Sequence, residues 1–467
     1  MSNVLGSFGG STVTTVTAAL RIAMRNQALL VLSVFLVAGC ASSAPTSNGS
    51  SSSGDVFAVA STQQYVREFG TSSSGANGQG DTIAGIAQDQ SGDVLVAGST
   101  VGNLPGNVGT VGILKGTLYE LDPSGNPLWA QELTTGAGDA LDGVAVTPTG
   151  IAVVGDTLGA YPGMSNPDGV YEAFVAQYDA SGTLQWLKQY TSGEAVYPQS
   201  LCTDTSGNLI FAGEIADSAG GQDLIVEKVD TSGNEVWQEV FGSGATDAAM
   251  GVAADGSGDI YAVGSTNGTF PGGGSQAQRM PFVLRLNGET GATVWVQQFS
   301  GESALSGLEP TAVTVDAQQR LDVVGQMGTY GTNAQIEVVQ MEVASGTPLW
   351  NLAFGAGADN VPGEGVAVDG TGDVYVTGMT KGALVSGVQA GVQDIFLARI
   401  SSAGAGQWAQ QLGTGTDGPP MASTGATPLY LSAGNHSVVL GGMTAGAFSG
   451  FSNPNHDVEL FVAGFGQ

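Results

Sequence analysis

The feature that most constrains the fold is the regular spacing of tryptophan. The six tryptophans follow one another at intervals of 51 to 58 residues, and most open a similar strand-like segment such as WAQEL, WQEVFG or WAQQLG. They are Trp129, Trp186, Trp237, Trp295, Trp350 and Trp408. A seventh copy, YVREFG at residues 65–70, carries tyrosine in place of tryptophan. A period of this length, with four strand-like stretches per unit, predicts a propeller or an array of repeats.

The sixth unit shows its four strands most clearly. Residues 365–368 (GVAV) form a short apolar strand, and residues 369–372 (DGTG) form a tight turn. Residues 373–377 (DVYVT) return as a second strand, residues 394–400 (DIFLARI) form a third, and the fourth contains Trp408. Alternation, β-branched residues and the Asp-x-Ser/Thr-Gly turn favour hairpins. A glycine ends the second strand of every unit, at Gly98, Gly155, Gly213, Gly264, Gly325, Gly378 and Gly442.

The two ends of the repeat region predict how the ring closes. The sequence stops after a third strand at residues 458–465, and the fourth strand at residues 65–70 lacks partners of its own. Pairing these two strands would remove the exposed sheet edges of an open array. We therefore expect an all-β fold over residues 61–467, a seven-bladed β-propeller of four-stranded blades closed by an N-terminal strand. In this arrangement the tryptophan strand is outermost and the Gly-Val-Ala-Val strand is innermost.

Composition agrees with this fold and limits the partners. Charged residues make up 11% of the chain and glycine accounts for 75 of 467 residues, which suits an all-β protein with many tight turns. The formal net charge is −30, and it becomes −32 if a segment containing Arg21 and Arg25 is removed. This charge argues against nucleic acid and anionic lipid surfaces as partners. It is compatible with divalent cations, with basic partners, or with solubility alone.

The N-terminal region predicts a lipid-anchored protein. Residues 28–38 (ALLVLSVFLVA) follow Arg25 and are too short to span a bilayer, as in a signal peptide. They lead into residues 37–40 (VAGC), which resemble the lipobox of bacterial lipoproteins. The resemblance implies that Cys40 is acylated and becomes the mature N-terminus, with residues 1–39 as the signal peptide. The alternative is an ordinary secretory signal with a chance cysteine.

The segment after Cys40 is expected to be a tether. Residues 40–60 begin with the lipidated cysteine and are rich in serine, a composition typical of flexible linkers. Ala41 is not the aspartate that retains many lipoproteins at the inner membrane, so we expect the outer membrane if the host is Gram-negative. Met24 is a second possible start, since it opens a more ordinary signal sequence.

The repeat region resembles the bacterial SBBP-type propeller repeat, named for a seven-bladed β-propeller. The resemblance rests on five loops between second and third strands, at residues 102–105, 159–162, 268–271, 382–384 and 446–448. The hairpins before Trp295 and Trp350 also resemble quinoprotein-type repeats, as in outer-membrane assembly lipoproteins. The longer period favours the first family, which implies the fold but no activity, because fold alone does not specify function.

The long loops between second and third strands share a face with the connections between blades, and this face is the predicted binding face. Each connection carries one early acidic residue: Asp81, Asp139, Glu194, Asp247, Glu302, Asp359 and Asp417. These seven could form a ring that binds Ca²⁺ or a cationic ligand. Alternatively each carboxylate caps its own loop, which recurrence in every blade favours. Tyr161, Phe270 and Phe448 are interpreted first as loop anchors and second as ligand-stacking groups.

No catalytic constellation is visible in the sequence. Cys202 is interpreted as a small buried residue of an inner strand, because neither His436 nor His456 lies near it in the repeat. The Asp-x-Ser/Thr-Gly-Asp segments at residues 89–93, 255–259 and 369–373 are interpreted as hairpin turns, since they lack the distal glutamate of an EF-hand.

The favoured function is therefore a non-enzymatic binding module of the cell envelope. Its expected partners are the membrane, through the lipid, and an envelope protein or glycan of unknown identity. We expect a monomer without a cofactor, with Ca²⁺ as the one candidate. One alternative is a scaffold for envelope protein assembly. Another is a glycan-acting hydrolase or lyase, which would need groups that break the seven-fold pattern, such as Asp168, Glu172 or His456.

Overall fold

The computed structural model describes residues 57–59, 63–69, 81–104, 112–217, 221–270, 279–299, 308–328, 335–355, 363–380, 384, 394–413, 429–434, 437–444 and 459–466. The chain divides into residues 1–46 and 47–467, and all described residues belong to the second unit. The predicted signal peptide, Met24 and Cys40 lie outside the described residues. Within the described part of the chain, no helix is long and apolar enough to cross a membrane.

All regular secondary structure of the described residues is β-strand. In chain order these are β1 Ala58–Val59, β2 Gln63–Phe69, β3 Thr82–Gln88, β4 Val94–Thr100, β5 Lys115–Leu121, β6 Pro127–Leu133, β7 Asp139–Thr147, β8 Gly150–Thr157, β9 Glu172–Tyr178, β10 Leu184–Tyr190, β11 Val196–Thr203, β12 Leu209–Ala216, β13 Gln222–Val229, β14 Glu235–Phe241, β15 Asp247–Ala254, β16 Ile260–Thr266, β17 Met280–Leu286, β18 Thr293–Gln298, β19 Leu308–Val315, β20 Arg320–Met327, β21 Gln335–Glu342, β22 Pro348–Phe354, β23 Gly363–Val368, β24 Val374–Thr380, β25 Asp394–Ile400, β26 Gly406–Leu412, β27 Tyr430–Ala433, β28 Ser437–Thr444 and β29 Glu459–Gly466.

Seven antiparallel sheets form the blades of a propeller. Blades 1 to 6 are β3–β6, β7–β10, β11–β14, β15–β18, β19–β22 and β23–β26, and blade 7 is β27–β29 completed by β2. The first strand of each blade contacts the first strand of the next, and β27 contacts β3, so the first strands form a closed inner ring. The prediction of a seven-bladed, four-stranded, all-β propeller is confirmed.

The middle strands of each blade are apolar because the blades pack face to face. Every residue of β4 and β5 is buried, and the same holds for β9 and β16. Leu95 and Leu118 of blade 1 lie in one core cluster with Val153 and Phe174 of blade 2. When both faces of a sheet are covered, the sequences of its strands are continuously hydrophobic and do not alternate with polar residues. The hydrophobic core therefore lies between blades.

The Asp-x-Ser/Thr-Gly-Asp segments form the predicted hairpin turns. In blade 4 the Oδ1 of Asp255 accepts hydrogen bonds from the backbone N–H groups of Ser257 (2.8 Å) and Asp259 (3.0 Å). Gly258 has φ 89°, a left-handed conformation that favours glycine. These bonds fix the short connection between first and second strands, so this face of the propeller carries tight turns.

The ring closes as the sequence predicts. Strand β2 pairs antiparallel with β29, and Tyr65 lies opposite Gly464. A Cβ atom at Gly464 would lie 2.3 Å from the Tyr65 ring, so only glycine leaves room for it. The N-terminal strand β2 is thus the outermost strand of the last blade.

A two-residue strand precedes the closing strand and was not predicted. Strand β1 pairs in parallel with β26 of blade 6, with Ala58 opposite Trp408. Phe57 is 3% exposed, and its ring packs edge-on against Phe354 at 4.9 Å between centroids. Residues 57–59 fall in the segment 40–60 that the sequence assigns to the flexible tether. The structure instead packs these three residues on blade 6, because Phe57 has an apolar site to fill.

Candidate functional site

Two members of the predicted acidic ring are hydrogen-bonded inside their own loops. Asp139 is fully buried and accepts bonds from Thr134 Oγ1 (2.9 Å) and the backbone N–H of Thr135 (2.7 Å). Asp247 is also fully buried and accepts bonds from the N–H (2.7 Å) and Oγ (2.8 Å) of Ser243. These are the contacts of a loop-capping carboxylate.

Two of the other five ring members lie within the described residues. Asp81 is buried, whereas Glu194 is exposed. Glu302, Asp359 and Asp417 lie outside the described residues. The ligand-binding role of the seven-membered ring stays a prediction.

The apolar loop residues contact the outer strands. The backbone N–H of Tyr161 donates to Gln189 of β10 (3.2 Å), and the N–H of Phe270 donates to Gln298 of β18 (2.9 Å). Tyr161 is 6% exposed, so its ring fills the core. The interpretation as loop anchors is confirmed for these two residues, while Phe448 lies outside the described part of the chain.

Three of the remaining candidates from the sequence, Cys202, Asp168 and Glu172, lie within the described residues. Cys202 lies on the inner strand β11 and is partly exposed, and burial of its sulfur raises the pKa of the thiol. A raised pKa disfavours the nucleophilic thiolate. Asp168 is exposed, whereas Glu172 is fully buried and accepts a bond from Gln189 (2.5 Å). His436 and His456 lie outside the described residues.

The inner strands share a β-bulge that the sequence analysis missed. In six blades one residue of the first strand is skipped in the pairing with the second strand. The skipped residues are Ala84, Asp142, Gln199, Met250, Thr311 and Glu364. Bulges bend a strand, re-aim a side chain and are common next to functional sites.

Close contact between neighbouring inner strands explains where these bulges lie. A Cβ atom at Gly143 would lie 3.2 Å from the backbone N of Leu201, and one at Gly365 would lie 2.9 Å from the carbonyl oxygen of Leu429. Each glycine directly follows its bulged residue, so the bulged side chains stand at the narrowest part of the inner ring. All six bulged residues are partly or fully exposed although they belong to the innermost strands.

Two of the six bulged residues are carboxylates, Asp142 and Glu364. Burial raises the pKa of both well above its usual range, and the nearby Asp156 carboxylate raises that of Asp142 further. Oδ2 of Asp142 and both carboxylate oxygens of Glu364 are inaccessible and make no hydrogen bond of normal geometry with the described residues. The backbone N–H of Leu429 lies near Glu364 and lowers its pKa in part.

A tyrosine lies within electrostatic reach of both carboxylates. Burial raises the pKa of Tyr430 of blade 7, and the negative charges of Asp142 in blade 2 and Glu364 in blade 6 raise it further. Blades 2 and 7 are not neighbours, so these side chains approach one another only at the axis. Asp142, Glu364 and Tyr430 thus interact electrostatically across the inner ring, and we call these three residues the axial cluster.

Further polar side chains continue from the axial cluster toward the loop face. Asp156 lies near the end of β8, and burial together with Asp139 raises its pKa. The rings of Tyr171 and Tyr197 lie 5.4 Å apart between centroids, and the charges of Asp156 and Glu214 raise the pKa of Tyr197 after burial. This side of the axial mouth, formed by blades 2 and 3, is therefore acidic and aromatic.

The chemistry of this region suits a cation or a proton. Carboxylates without partners in a low-dielectric site either bind a proton or attract a positive group. Aromatic faces next to carboxylates attract ammonium and guanidinium groups as well. The acidic residues break the seven-fold pattern, as a site for one ligand requires. An alignment of the repeats could have found these acidic residues. At the position before each Gly-Val-Ala-Val strand, blades 2 and 6 carry Asp142 and Glu364, whereas blades 1 and 4 carry Ala84 and Met250.

Comparison with known proteins places one segment in a family. The SBBP family, described as a beta-propeller repeat, matches residues 64–105. The match spans β2 to β4, that is, the closing strand and the start of blade 1. The fold defines the class of this protein as a seven-bladed β-propeller. Residues 64–105 are similar to the SBBP repeat, which confirms the resemblance for this part of the chain.

No curated protein matches the chain. Among solved structures, a protein of unknown function from Dyadobacter fermentans is 9% identical over 86% of this chain and 99% of that chain, with a TM-score of 0.43. The Penicillium chrysogenum alpha-L-arabinanase complexed with arabinobiose is 12% identical over 87% and 98%, with a TM-score of 0.40. YCF48 bound to D1 peptide is 12% identical over 88% and 99%, with a TM-score of 0.45. Likeness at these values carries no inference about function.

Proposed function

We propose that this protein is a lipid-anchored binding module of the cell envelope and that its propeller captures a cationic group of its ligand at the axial cluster. The observation that carries the proposal is the group of inaccessible oxygens on Asp142 and Glu364 that make no normal hydrogen bond with the described residues. A buried polar group without a partner costs roughly 1–3 kcal/mol, and more when it is charged. An ammonium or guanidinium group would recover this energy.

Charge and position support a cationic ligand. The formal net charge of −30 attracts cations over long range and speeds their encounter with the protein. Asp156, Glu214 and the Tyr171–Tyr197 pair lie toward the loop-face ends of their strands, so a cation approaching from this face meets carboxylates and aromatic rings. A lysine or arginine side chain of an envelope protein has the length and the donors to bind such groups. The lipobox at residues 37–40 supports the location at the envelope.

Calorimetric titration with a tetralysine peptide at pH 7.5 and low salt tests this function. We expect Asp142→Asn and Glu364→Gln each to weaken binding at least about tenfold, which corresponds to roughly 1.4 kcal/mol. Glu235→Gln is the control, because Glu235 is exposed on the outer strand β14 and its substitution removes the same charge. Equal weakening by all three variants would mean that the peptide responds only to net charge, and the proposal would fail.

One observation favours a second function, a glycan-acting hydrolase or lyase. Asp142 and Asp156 lie close enough for one to raise the pKa of the other, and such a pair can divide the roles of general acid and general base. Incubation with peptidoglycan and with neutral envelope glycans, followed by a reducing-end assay, separates the two functions. Product release that Asp156→Asn abolishes would establish the enzyme, whereas tetralysine binding without any product supports the binding module.

A further inference from the structure

Three carboxylates of blade 1 converge on the turn face, opposite the loop face. Asp89 belongs to the turn after β3, Asp93 precedes β4, and Glu120 lies near the end of β5. One oxygen from each carboxylate lies within 4.8 Å of the others. Glu120 is 6% exposed, so its charge is held inside the blade.

The same turn in other blades shows what this position holds. Blades 4 and 6 contain the same two aspartates, Asp255 with Asp259 and Asp369 with Asp373, in turns with the same hydrogen bonds. In blade 4 the Nη2 of Arg285 lies 2.6 Å from Asp259 Oδ2. In blade 6 the Nη2 of Arg399 lies 3.2 Å from Asp369 and 2.9 Å from Asp373. A positive charge thus occupies this place in both blades.

Blade 1 has lost both donors that satisfy the aspartates elsewhere. Arg285 pairs with Tyr261 across the strands and Arg399 pairs with Tyr375, whereas Glu120 pairs with Leu95 at the corresponding position. The tyrosine hydroxyls donate to Asp255 (2.9 Å) and Asp369 (3.3 Å), which Leu95 cannot do. A glutamate therefore replaces the arginine, and a leucine replaces the tyrosine.

No side chain in the described part of the chain replaces the missing arginine. None of the three carboxylates of blade 1 takes part in a described ion pair. In the described part of the chain, no positive side chain balances the three carboxylates as the arginines do in blades 4 and 6.

We propose that Asp89, Asp93 and Glu120 bind a Ca²⁺ ion at the place where blades 4 and 6 hold an arginine guanidinium. The spacing of the oxygens suits this ion, since two ligands on opposite sides of Ca²⁺ are separated by twice the usual Ca–O distance of about 2.4 Å. Ca²⁺ accepts irregular geometry and completes its shell with water, which the partly exposed Asp89 and Asp93 admit. Mg²⁺ demands a near-ideal octahedron at shorter distances, so it is disfavoured.

Terbium luminescence tests the site, because Tb³⁺ replaces Ca²⁺ and a nearby indole sensitises it. Trp129 pairs with Glu120 across the strands and so lies next to the site. With the full chain, stripped of metal by EDTA, we expect saturable Tb³⁺ emission on tryptophan excitation and its displacement by Ca²⁺. Absence of saturable emission, or emission that Ca²⁺ does not displace, would overturn the proposal.

Glu120→Arg is the decisive variant, because it rebuilds the charge arrangement of blades 4 and 6. We expect it to lose Tb³⁺ emission at least tenfold and to keep its Tm unchanged on adding Ca²⁺, whereas Ca²⁺ raises the Tm of the wild type. Asp93→Asn should lose affinity in the same direction, should the arginine variant fail to fold. Asp179→Asn, which removes a charge from the turn between β9 and β10 of blade 2, and Glu235→Gln, on the outer strand β14, should keep binding within about twofold. Equal emission in Glu120→Arg and in these controls would refute the site.

Discussion

Tyr65 holds the closing strand in place, and replacing it tests how much of the stability depends on ring closure. The side chain is 9% exposed and packs between Gly464 of β29 and Gly125 of blade 1. An aromatic side chain buries about 200 Å², which at about 25 cal/mol per Å² amounts to roughly 4–5 kcal/mol. Residual burial in the unfolded chain lowers this figure by roughly 10–40%. We expect Tyr65→Ala to lose about 3 kcal/mol of unfolding free energy.

The hydroxyl of Tyr65 provides a matched comparison. It is buried without a hydrogen-bond partner among the described residues, and burial raises its pKa to about 12. Removing an unsatisfied buried hydroxyl relieves a desolvation cost, so Tyr65→Phe should be as stable as the wild type or more stable. The two variants therefore separate the packing of the ring from the hydroxyl.

Denaturant unfolding followed by tryptophan fluorescence and circular dichroism measures both effects. Leu128→Ala is the control, because Leu128 is 53% exposed on the outer strand β6 and its loss should cost less than about 0.5 kcal/mol. The reasoning is refuted if Tyr65→Ala costs less than about 1 kcal/mol, or if Tyr65→Phe costs as much as Tyr65→Ala.

Three further predictions follow from the closure, the buried acids and the N-terminal region. Deleting residues 61–70 should expose a sheet edge, lower the Tm strongly and cause aggregation, whereas deleting residues 41–54 should do neither, and equal Tm values would contradict the topology. Burial raises the pKa of Asp322 and of Glu337 to about 7. The folded state therefore binds more protons than the unfolded state between about pH 4 and 7. The unfolding free energy should then fall as the pH rises through this window and level off above it. Asp322→Asn should flatten that slope in a pH series of denaturant unfolding, and an unchanged slope would contradict it. Cys40→Ala should abolish fatty-acid labelling and release the protein from the membrane fraction, while an unlabelled wild type would exclude the lipid anchor.

The fold could be predicted from the sequence because each repeat contains the residues that specify its own strands and turns. Tryptophan spacing gave the number of blades, and the unpaired segments at residues 65–70 and 458–465 gave the closure. The Asp-x-Ser/Thr-Gly-Asp turns were recognisable because an aspartate that bonds to the backbone two and four residues ahead needs no distant partner. These features depend on side chains and backbone within one unit or on a simple count of strands.

The axial cluster was missed because it depends on differences between units. In the sequence, Asp142 and Glu364 each precede a glycine. Their role becomes evident only in the structure, where a bulge in each inner strand brings both side chains to the axis. Strand β1 was missed for a related reason, since Ala58 follows a serine-rich segment and its partner Trp408 lies far along the sequence. The loss of an arginine at Glu120 is visible by alignment, but its contact with Asp89 and Asp93 required coordinates.

Strand β1 also determines the order in which parts of the propeller would carry a mechanical load. In the described part of the chain, Phe57 and strand β1 lie against blade 6 and precede the closing strand β2. Tension from the N-terminal side therefore acts first on the Phe57–Phe354 contact and on the two parallel residue pairs. The seven residues of β2 bear tension only after this attachment has released. A protein pulled by its N-terminal segment would thus extend by a short length at low force while its ring stays closed.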